Sequence, residues 1–540
     1  MMLLVCLALP AWAEPAALTV QTLADPARAR LCRDQEVVLE IEGGSAQDAR
    51  RAVDLVRRPG PAFRVTTSGD RALLWSGPDL LAEITQAQAA RWDATPYALA
   101  RTFATRLEQA RSGKVPSPPT LAPSHLAVPL GETRSARWLN VPGTPSVEVS
   151  NPSTAEVQIS GQELRVTGQA RGDATVTLSW PKVRLALPIS VRPRAARLPS
   201  TLEVPLSGGL PPQEALRRVL LGRAHPHPRA RLEATLPTTV ATDKTLAVEA
   251  RAGGPDLLDD SARIQVRFVP TPVEIPRAGG LVISNRPEKV QATGILLRQA
   301  LPAAPVRLLV HHRNAPEAPE RFLEIMLHNR SGEPARVFTI LAGVGPSQDE
   351  IFAGHLATRR FLEALGARQG VTLNLAAGES LLVERLRMKP GQTVSAMGWL
   401  QPQGQAALEM TVRAVDDQGQ APDLDLADPG PGPFPTGRGY FPAEMSAAYA
   451  HDLGSRFTFI PLGDTPVTSD PATGEPNPGN FGVVQRLLVV LRNPTDQARE
   501  ARLDFHPRGG PARGLVYVDG TLVETPMATA ASPSRLGRWT

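Results

Sequence analysis

Cysteine is almost absent from this chain of 540 residues, with Cys6 and Cys32 its two examples. A disulfide-stapled architecture and a cysteine metal cluster are therefore both excluded. Lysine is nearly as scarce: Lys114, Lys182, Lys244, Lys289 and Lys389 are the only ones, so the formal charge of +5 is carried by arginine. Spread over so long a chain, that excess forms no basic stripe with interleaved aromatic platforms, and no nucleic-acid partner is expected. Aromatic residues make up 4% of the chain, too few for repeated stacking surfaces. After the first residues no apolar run approaches the roughly 18 to 20 residues of a membrane span. No transmembrane segment is expected, which leaves peripheral association with an envelope open.

What the chain has in excess is proline, 54 residues of it. Proline is expelled from central strands and helix interiors, so this content implies many turns, edge strands and linkers. Leu3 to Pro10 form a short apolar stretch, and Ala11-Trp12-Ala13 offers the small residues a signal peptidase reads. The first 13 residues thus read as a signal peptide, with a mature start at Glu14 and an exported product in the periplasm, at the cell surface or outside the cell. The usual cationic start of a signal is absent, so either the true start codon lies upstream of Met1, the favoured expectation, or the segment is a poor signal. Cys6 would leave with the signal, and Cys32 reads as a buried small apolar residue.

One phrase recurs: an apolar strand, an Asn-x-Ser/Thr turn, then a second strand. It occurs at Val147 to Ser153, at Leu323 to Ser331 and at Leu487 to Thr495, turning on Asn151, Asn329 and Asn493. Alternation at period two buries one face of a strand, and asparagine followed by proline or a hydroxyl residue turns the chain through local hydrogen bonds. The fold class this predicts is mainly β: tandem Ig-like β-sandwich domains preceded by a small α/β domain. That first domain spans 31–113, with helices over Ser45 to Arg57 and Thr95 to Arg111. Residues 114–123 read as a proline-rich linker, 124–193 as an Ig-like sandwich and 195–276 as a β-rich domain holding a helical phrase at Gln213 to Gly222. Residues 277–415 read as a larger sandwich with a helical insertion at Ser347 to Ala367, 416–439 as a flexible linker and 440–540 as a C-terminal sandwich. The chain ends on Arg538-Trp539-Thr540 without a closing turn and strand, which reads as a truncated module.

Within 120–193 four stretches carry a resemblance: Val128-Pro129-Leu130-Gly131-Glu132, Val147 to Pro152, Leu164 to Gly168 and Gly172 to Leu178. The segment resembles bacterial Ig-like (BIG-type) repeats and is similar to the N-terminal domain of pilus-assembly secretin proteins. That resemblance implies an extracytoplasmic spacer or adhesive domain and supplies no ligand.

The candidate site residues are His311, Ser347, Asp349, Glu350 and His355. A serine, acids and histidines in one neighbourhood invite a hydrolase, but Gly345-Pro346-Ser347 is not a Gly-x-Ser-x-Gly elbow. Ser347 before Asp349 and Glu350 has the pattern of a helix N-cap with acids in the first turn. His311 and His312 are adjacent in a strand and point to opposite faces, so they cannot chelate one ion together. The loop Asp464 to Asn480 is rich in oxygen ligands but lacks a calcium-loop spacing, and it reads as a solvated hairpin. No metal and no cofactor are expected, and no catalytic residue can be named. The function these features predict is an exported, non-catalytic envelope or surface scaffold binding an envelope protein or polysaccharide. The alternatives are a secreted hydrolase acting on polysaccharide or peptidoglycan, and a structural subunit of a pilus or secretion apparatus.

Overall fold

The computed structural model describes residues 18–24, 27–33, 36–57, 60–92, 94–112, 119–139, 144–180, 183–237, 240, 244–426, 437–454, 457–463 and 466–540. The expected signal peptide, residues 114–118 of the expected linker, residues 427–436 and Asp464 lie outside them. Strands take 51% of the residues and helices 14%, so the chain is mainly β. It divides into two compact units: the described residues up to 194 together with 256–258, and 195–255 together with 259–540.

The first unit begins with an α/β part. Strands β1 (Leu18–Ala24), β2 (Ala27–Arg33) and β3 (Glu36–Glu42) form one antiparallel sheet, and β4 (Phe63–Ser68), β5 (Arg71–Ser76) and β6 (Asp79–Ile84) another. Helix α1 (Ala46–Arg57) buries Ala49, Ala52, Val53 and Val56, the face given by its 3.6-residue spacing. The short α2 (Gln86–Arg91) leads to α3 (Pro96–Ser112), which opens with proline at its first position while Thr95 Oγ1 accepts from the Ala98 amide at 3.2 Å. Phe103 and Leu107 of α3 close a core with Leu31, Leu39, Leu74 and Ile84. Cys32 is buried in β2 with a free thiol, and burial pushes its pKa up.

The Ig-like part has two four-stranded sheets. Strands β7 (Thr120–Ala122), β8 (Leu126–Pro129), β9 (Thr133–Leu139), β10 (Ser146–Val149), β11 (Ala155–Ser160), β12 (Glu163–Gly168), β13 (Gly172–Trp180) and β14 (Val183–Arg192) arrange as β10-β13-β14-β8 and β11-β12-β9-β7. Their inner faces share Trp138, Leu164, Val166, Val176, Leu178, Leu187 and Ile189, with Trp180 packed edge-on to Trp138. Residues 120–122, expected in the linker, instead pair with β9, because this proline-free triplet places Leu121 against the sandwich core.

In the second unit, β15 (Thr201–Ser207), α4 (Pro212–Ala224), β16 (Arg231–Thr235), β17 (Thr245–Gly253) and β18 (Asp260–Pro270) precede a larger set. That set comprises β19 (Gly280–Ser284), β20 (Lys289–Val290), β21 (Gly294–Leu301), β22 (Val306–Asn314), β23 (Arg321–Asn329), β24 (Ala335–Ser347), α5 (Glu350–Gly366), β25 (Gly370–Leu375), β26 (Ser380–Met388), β27 (Thr393–Pro402) and β28 (Leu408–Val415). Sequence reading separates 195–276 from 277–415, but one eleven-stranded sheet runs through both in the order β16-β17-β18-β15-β25-β24-β27-β22-β19-β29, with β20 beside β22; β29 is Arg438–Phe441. The seam is Leu206 against Val371 and Ser207 against Gly370. Glycine makes it possible: a side chain at Gly208, which has φ +67°, would meet the Ala367 carbonyl at 2.2 Å, and one at Gly370 would meet the Thr339 carbonyl at 2.5 Å. Helix α5 covers one face of β24 and β27 at Ile340, Ala342, Met397 and Trp399. The second sheet, β21-β28-β23-β26, packs through β26 on β24.

The C-terminal residues do not form the expected sandwich. Strands β30 (Glu444–Asp452) and β31 (Val484–Arg492) pair in parallel, β32 (Ala501–Phe505) pairs with β35 (Ser534–Trp539), and β33 (Leu515–Val518) pairs with β34 (Thr521–Glu524) across an Asp519-Gly520 turn. These are three separate two-stranded sheets among the described residues. No described helix is long and apolar enough to cross a membrane.

All three asparagine phrases turn out to be corners between sheets. Asn151 lies between β10 and β11, Asn329 ends β23 ahead of β24, and Asn493 lies between β31 and β32, each pair belonging to different sheets. The last two corners are built alike. Asn329 Oδ1 accepts from the Ser331 amide and hydroxyl while Nδ2 donates to the Glu333 carbonyl; Asn493 Oδ1 accepts from the Thr495 amide and hydroxyl while Nδ2 donates to the Gln497 carbonyl.

Candidate functional site

The five candidate residues gather around the start of α5, and their bonds are those of a helix terminus. Asp349, not Ser347, is the N-cap: its Oδ1 accepts from the Phe352 amide at 2.9 Å. Ser347 Oγ accepts from the Asp349 amide at 3.1 Å and donates to the Asp349 carbonyl at 3.0 Å. Glu350 pairs with Arg313 of β22. His311, two residues earlier on the same face of β22, lies under α5, its Cε1 3.8 Å from where a Gly354 side chain would begin. Burial lowers its pKa against the pull of Glu350. His355 Nε2 meets Glu524 at 2.7 Å, and Arg359 meets the other oxygen of the same carboxylate at 3.1 Å. The hydrogen bond from His355 is the main cause holding Glu524 below the usual carboxylate range. The serine is thus bonded to backbone and the histidine to a distant glutamate, so Ser347, His355 and the α5 acids do not form a nucleophile, base and orienting acid in line.

His312 is fully buried on the other face. Only Nδ1 can donate to the Pro287 carbonyl at 2.8 Å, so Nε2 is the unprotonated nitrogen and accepts from Ser284 Oγ at 2.9 Å. Desolvation brings its pKa down to about 4. Arg307, also on β22, is buried over the Phe361 ring and pulled to about 10 by desolvation, opposed by Glu444. On β23 the buried Glu324 accepts from Arg385 of β26 and Arg413 of β28, its cross-strand neighbours. Among the described residues no group of three or more His, Cys, Asp or Glu could hold a metal ion. The loop up to Asn480 is packed and not a solvated hairpin: Asp470 accepts from the Tyr440, Ala472 and Thr473 amides, and Asn480 Oδ1 from Thr468.

A different feature stands open. Strand β31 carries Leu487-Leu488-Val489-Val490-Leu491, each between 37 and 64% exposed. Its neighbour β30 presents the small residues Ala447, Ala448 and Ala450 beside Leu487, Leu488 and Val490. The step in size leaves a depression of about 440 Å³ lined by Ser446, Ala447, Ala448, Arg486, Leu487 and Leu488. No described strand pairs with the other edge of β31.

No protein-family model matches the chain, and no curated protein matches it. Among solved structures, domains 4 and 5 of the S-layer protein SbsC are 20% identical over 14% of this chain and 52% of their own length, at a TM-score of 0.13. Domains 5–6 of the same protein are 10% identical over 28% of this chain and 98% of theirs, at 0.14. The titin Ig tandem A164-A165 is 8% identical over 27% and 93%, at 0.12. This chain spans about half the length of the first of these, and likenesses at such scores carry no function or partner across.

Sequence reading did not find the β31 surface. Five consecutive apolar residues signal a strand covered on both faces, and the missing cover is a fact about neighbours that the strand's own residues do not encode. It also missed the Glu324 and His312 networks. An acid inside Leu323-Glu324-Ile325 is the signal that would have pointed to the first.

Proposed function

We propose that this chain is an exported, non-catalytic scaffold or binding protein of the cell envelope or surface. Its first sandwich would be of the kind found in bacterial Ig-like repeats and in the N-terminal domain of pilus-assembly secretins. The observation that carries the reading is a contrast in how side chains are used. Among the described residues the polar groups that could do chemistry are spent on capping, corners and ion pairs, whereas an apolar strand with no described strand on its second edge is left for contact. A structural subunit of a pilus or secretion apparatus is the second reading, favoured by that same open edge. The chain from Glu14 is expected to co-sediment with the cell-envelope fraction of its own host in a salt-resistant manner. A chain that stays in the supernatant, or that releases soluble fragments from the envelope, overturns the proposal, the second outcome in favour of a hydrolase.

A further inference from the structure

We infer that β31 is a homotypic contact strand, its free edge pairing antiparallel with β31 of a second copy of this chain. Four observations converge. The first is the edge itself, nine residues from Val484 to Arg492 with β30 on one side and no described strand on the other. Unpaired strand edges are templates for another strand, and parallel pairs in folded proteins are ordinarily covered on both faces.

The second is the internal counterpart. Strand β23 is also nine residues long and apolar, and it reaches a corner with the same asparagine hydrogen bonds. It is flanked on both edges by antiparallel strands, β26 and β28. The vacancy beside β31 is therefore one that an antiparallel strand fills in the same molecule.

The third is area. Beyond the five residues of β31, Phe481 and Leu462 are about half exposed near its start, where Gly463 and Gly479 touch. Phe457, 78% exposed, and Phe459 lie near its end, where His451 Nδ1 bonds Thr458 Oγ1 at 2.8 Å. Taking roughly 150–200 Å² for each whole side chain, these residues together expose about 800 Å², an upper bound on what one copy can bury because successive side chains of β31 lie on opposite faces, and of the order of one partner's share in a standard specific interface.

The fourth is self-complementarity. In an antiparallel pairing centred on Leu488, Leu487 meets Val489, Arg486 meets Val490 and Arg492 meets Val484, so no like charges oppose. The same two-fold operation places the Val484 end of β31 in one copy beside the Arg492 end of β31 in the other, and an isologous contact closes at two copies.

The inference rests on the reading of the chain as a contact-making protein, and the two fail separately: a chain that co-sediments with envelope yet stays monomeric keeps that reading and loses this one. Sedimentation velocity on the full chain at about 1 to 50 μM is expected to show a dimer. Leu488→Arg should weaken dimerisation more than tenfold, with a thermal melt unchanged from wild type at dilutions where both are monomeric. Leu424→Arg, at an equally exposed apolar residue outside the strip, should leave dimerisation intact. In the chain from Glu14, which lacks Cys6, oxidised glutathione should cross-link Leu488→Cys to itself, since Cys32 is buried and does not compete. A wild-type chain monomeric at 50 μM overturns the inference, as does a dimer indifferent to Leu488→Arg. So does a Leu488→Cys dimer that never cross-links, or a monomer whose β31 takes up a strand of another protein.

Discussion

Strands β23 and β31 are both nine residues long with an apolar middle and reach the same kind of corner, but they live in opposite surroundings. In β23 every residue but one is buried and both edges are paired, whereas β31 is exposed along most of its length and paired on one edge. Even the charges follow the contrast. Glu324 of β23 is desolvated and held by Arg385 and Arg413, while Arg486 of β31 meets Glu444 in solvent. An apolar strand at the surface gains nothing from its leucines unless something covers them. What separates the two strands is thus the presence of neighbours, and the proposed dimer would supply the neighbour β31 lacks among the described strands.

The comparison breaks most visibly at the ion pairs. Glu324→Ala removes a buried carboxylate shared by two half-buried guanidinium groups and is expected to destabilise the second unit by about 3 kcal/mol. Arg486→Ala should change unfolding by no more than about 1 kcal/mol, as exposed pairs do. Denaturant unfolding followed by tryptophan fluorescence reads both. Next in size is truncation: Ile325→Ala should cost about 2–5 kcal/mol through lost burial and the cavity left behind. Leu488→Ala should stay within about 0.5 kcal/mol in the same assay at submicromolar protein.

Acid sharpens the contrast from another side. His312 is neutral when folded, with a pKa of about 4 against an ordinary 6.5. Between those values the unfolded chain binds the additional proton. The His312 contribution is therefore intact above pH 6.5 and is lost as pH falls toward 4, by up to about 3 kcal/mol. A His312→Asn variant should show a flatter stability profile between pH 4 and 6.5 than the wild type, while dimerisation at β31 should not follow that titration. The smallest effect is at the corners. Asn329→Ala, which removes buried hydrogen bonds, should cost about 1–3 kcal/mol, and Asn493→Ala, fully in solvent, about 0.5 kcal/mol or less. Thermal melts of the two variants check the order.

Much of the fold was legible because its determinants are local. The spacing of Ala49, Ala52, Val53 and Val56, the Thr95-Pro96 helix start and the period-two alternation of the Ig-like strands each act within a few residues. The seam between β15 and β25 was not legible, since it depends on Gly208 approaching Ala367 and on Gly370 pairing with Ser207, across a long stretch of chain. The C-terminal sandwich was misread for a related reason: strand-forming residues are present in β30 to β35, but sheet closure is decided by which edges find neighbours. At the candidate site, sequence gathered His311, Glu350 and the start of α5 into one place. It assigned the cap to Ser347 because Ser347 and Asp349 carry equally good acceptors, and only the backbone path shows which of them faces the first amides.

The most direct test is amide hydrogen exchange of the full chain measured at two concentrations, roughly 1 and 50 μM. The account predicts that β31 amides directed away from β30 exchange freely in dilute solution and become protected in concentrated solution, while β23 is protected equally in both. Protection of β31 that does not change with concentration would contradict it.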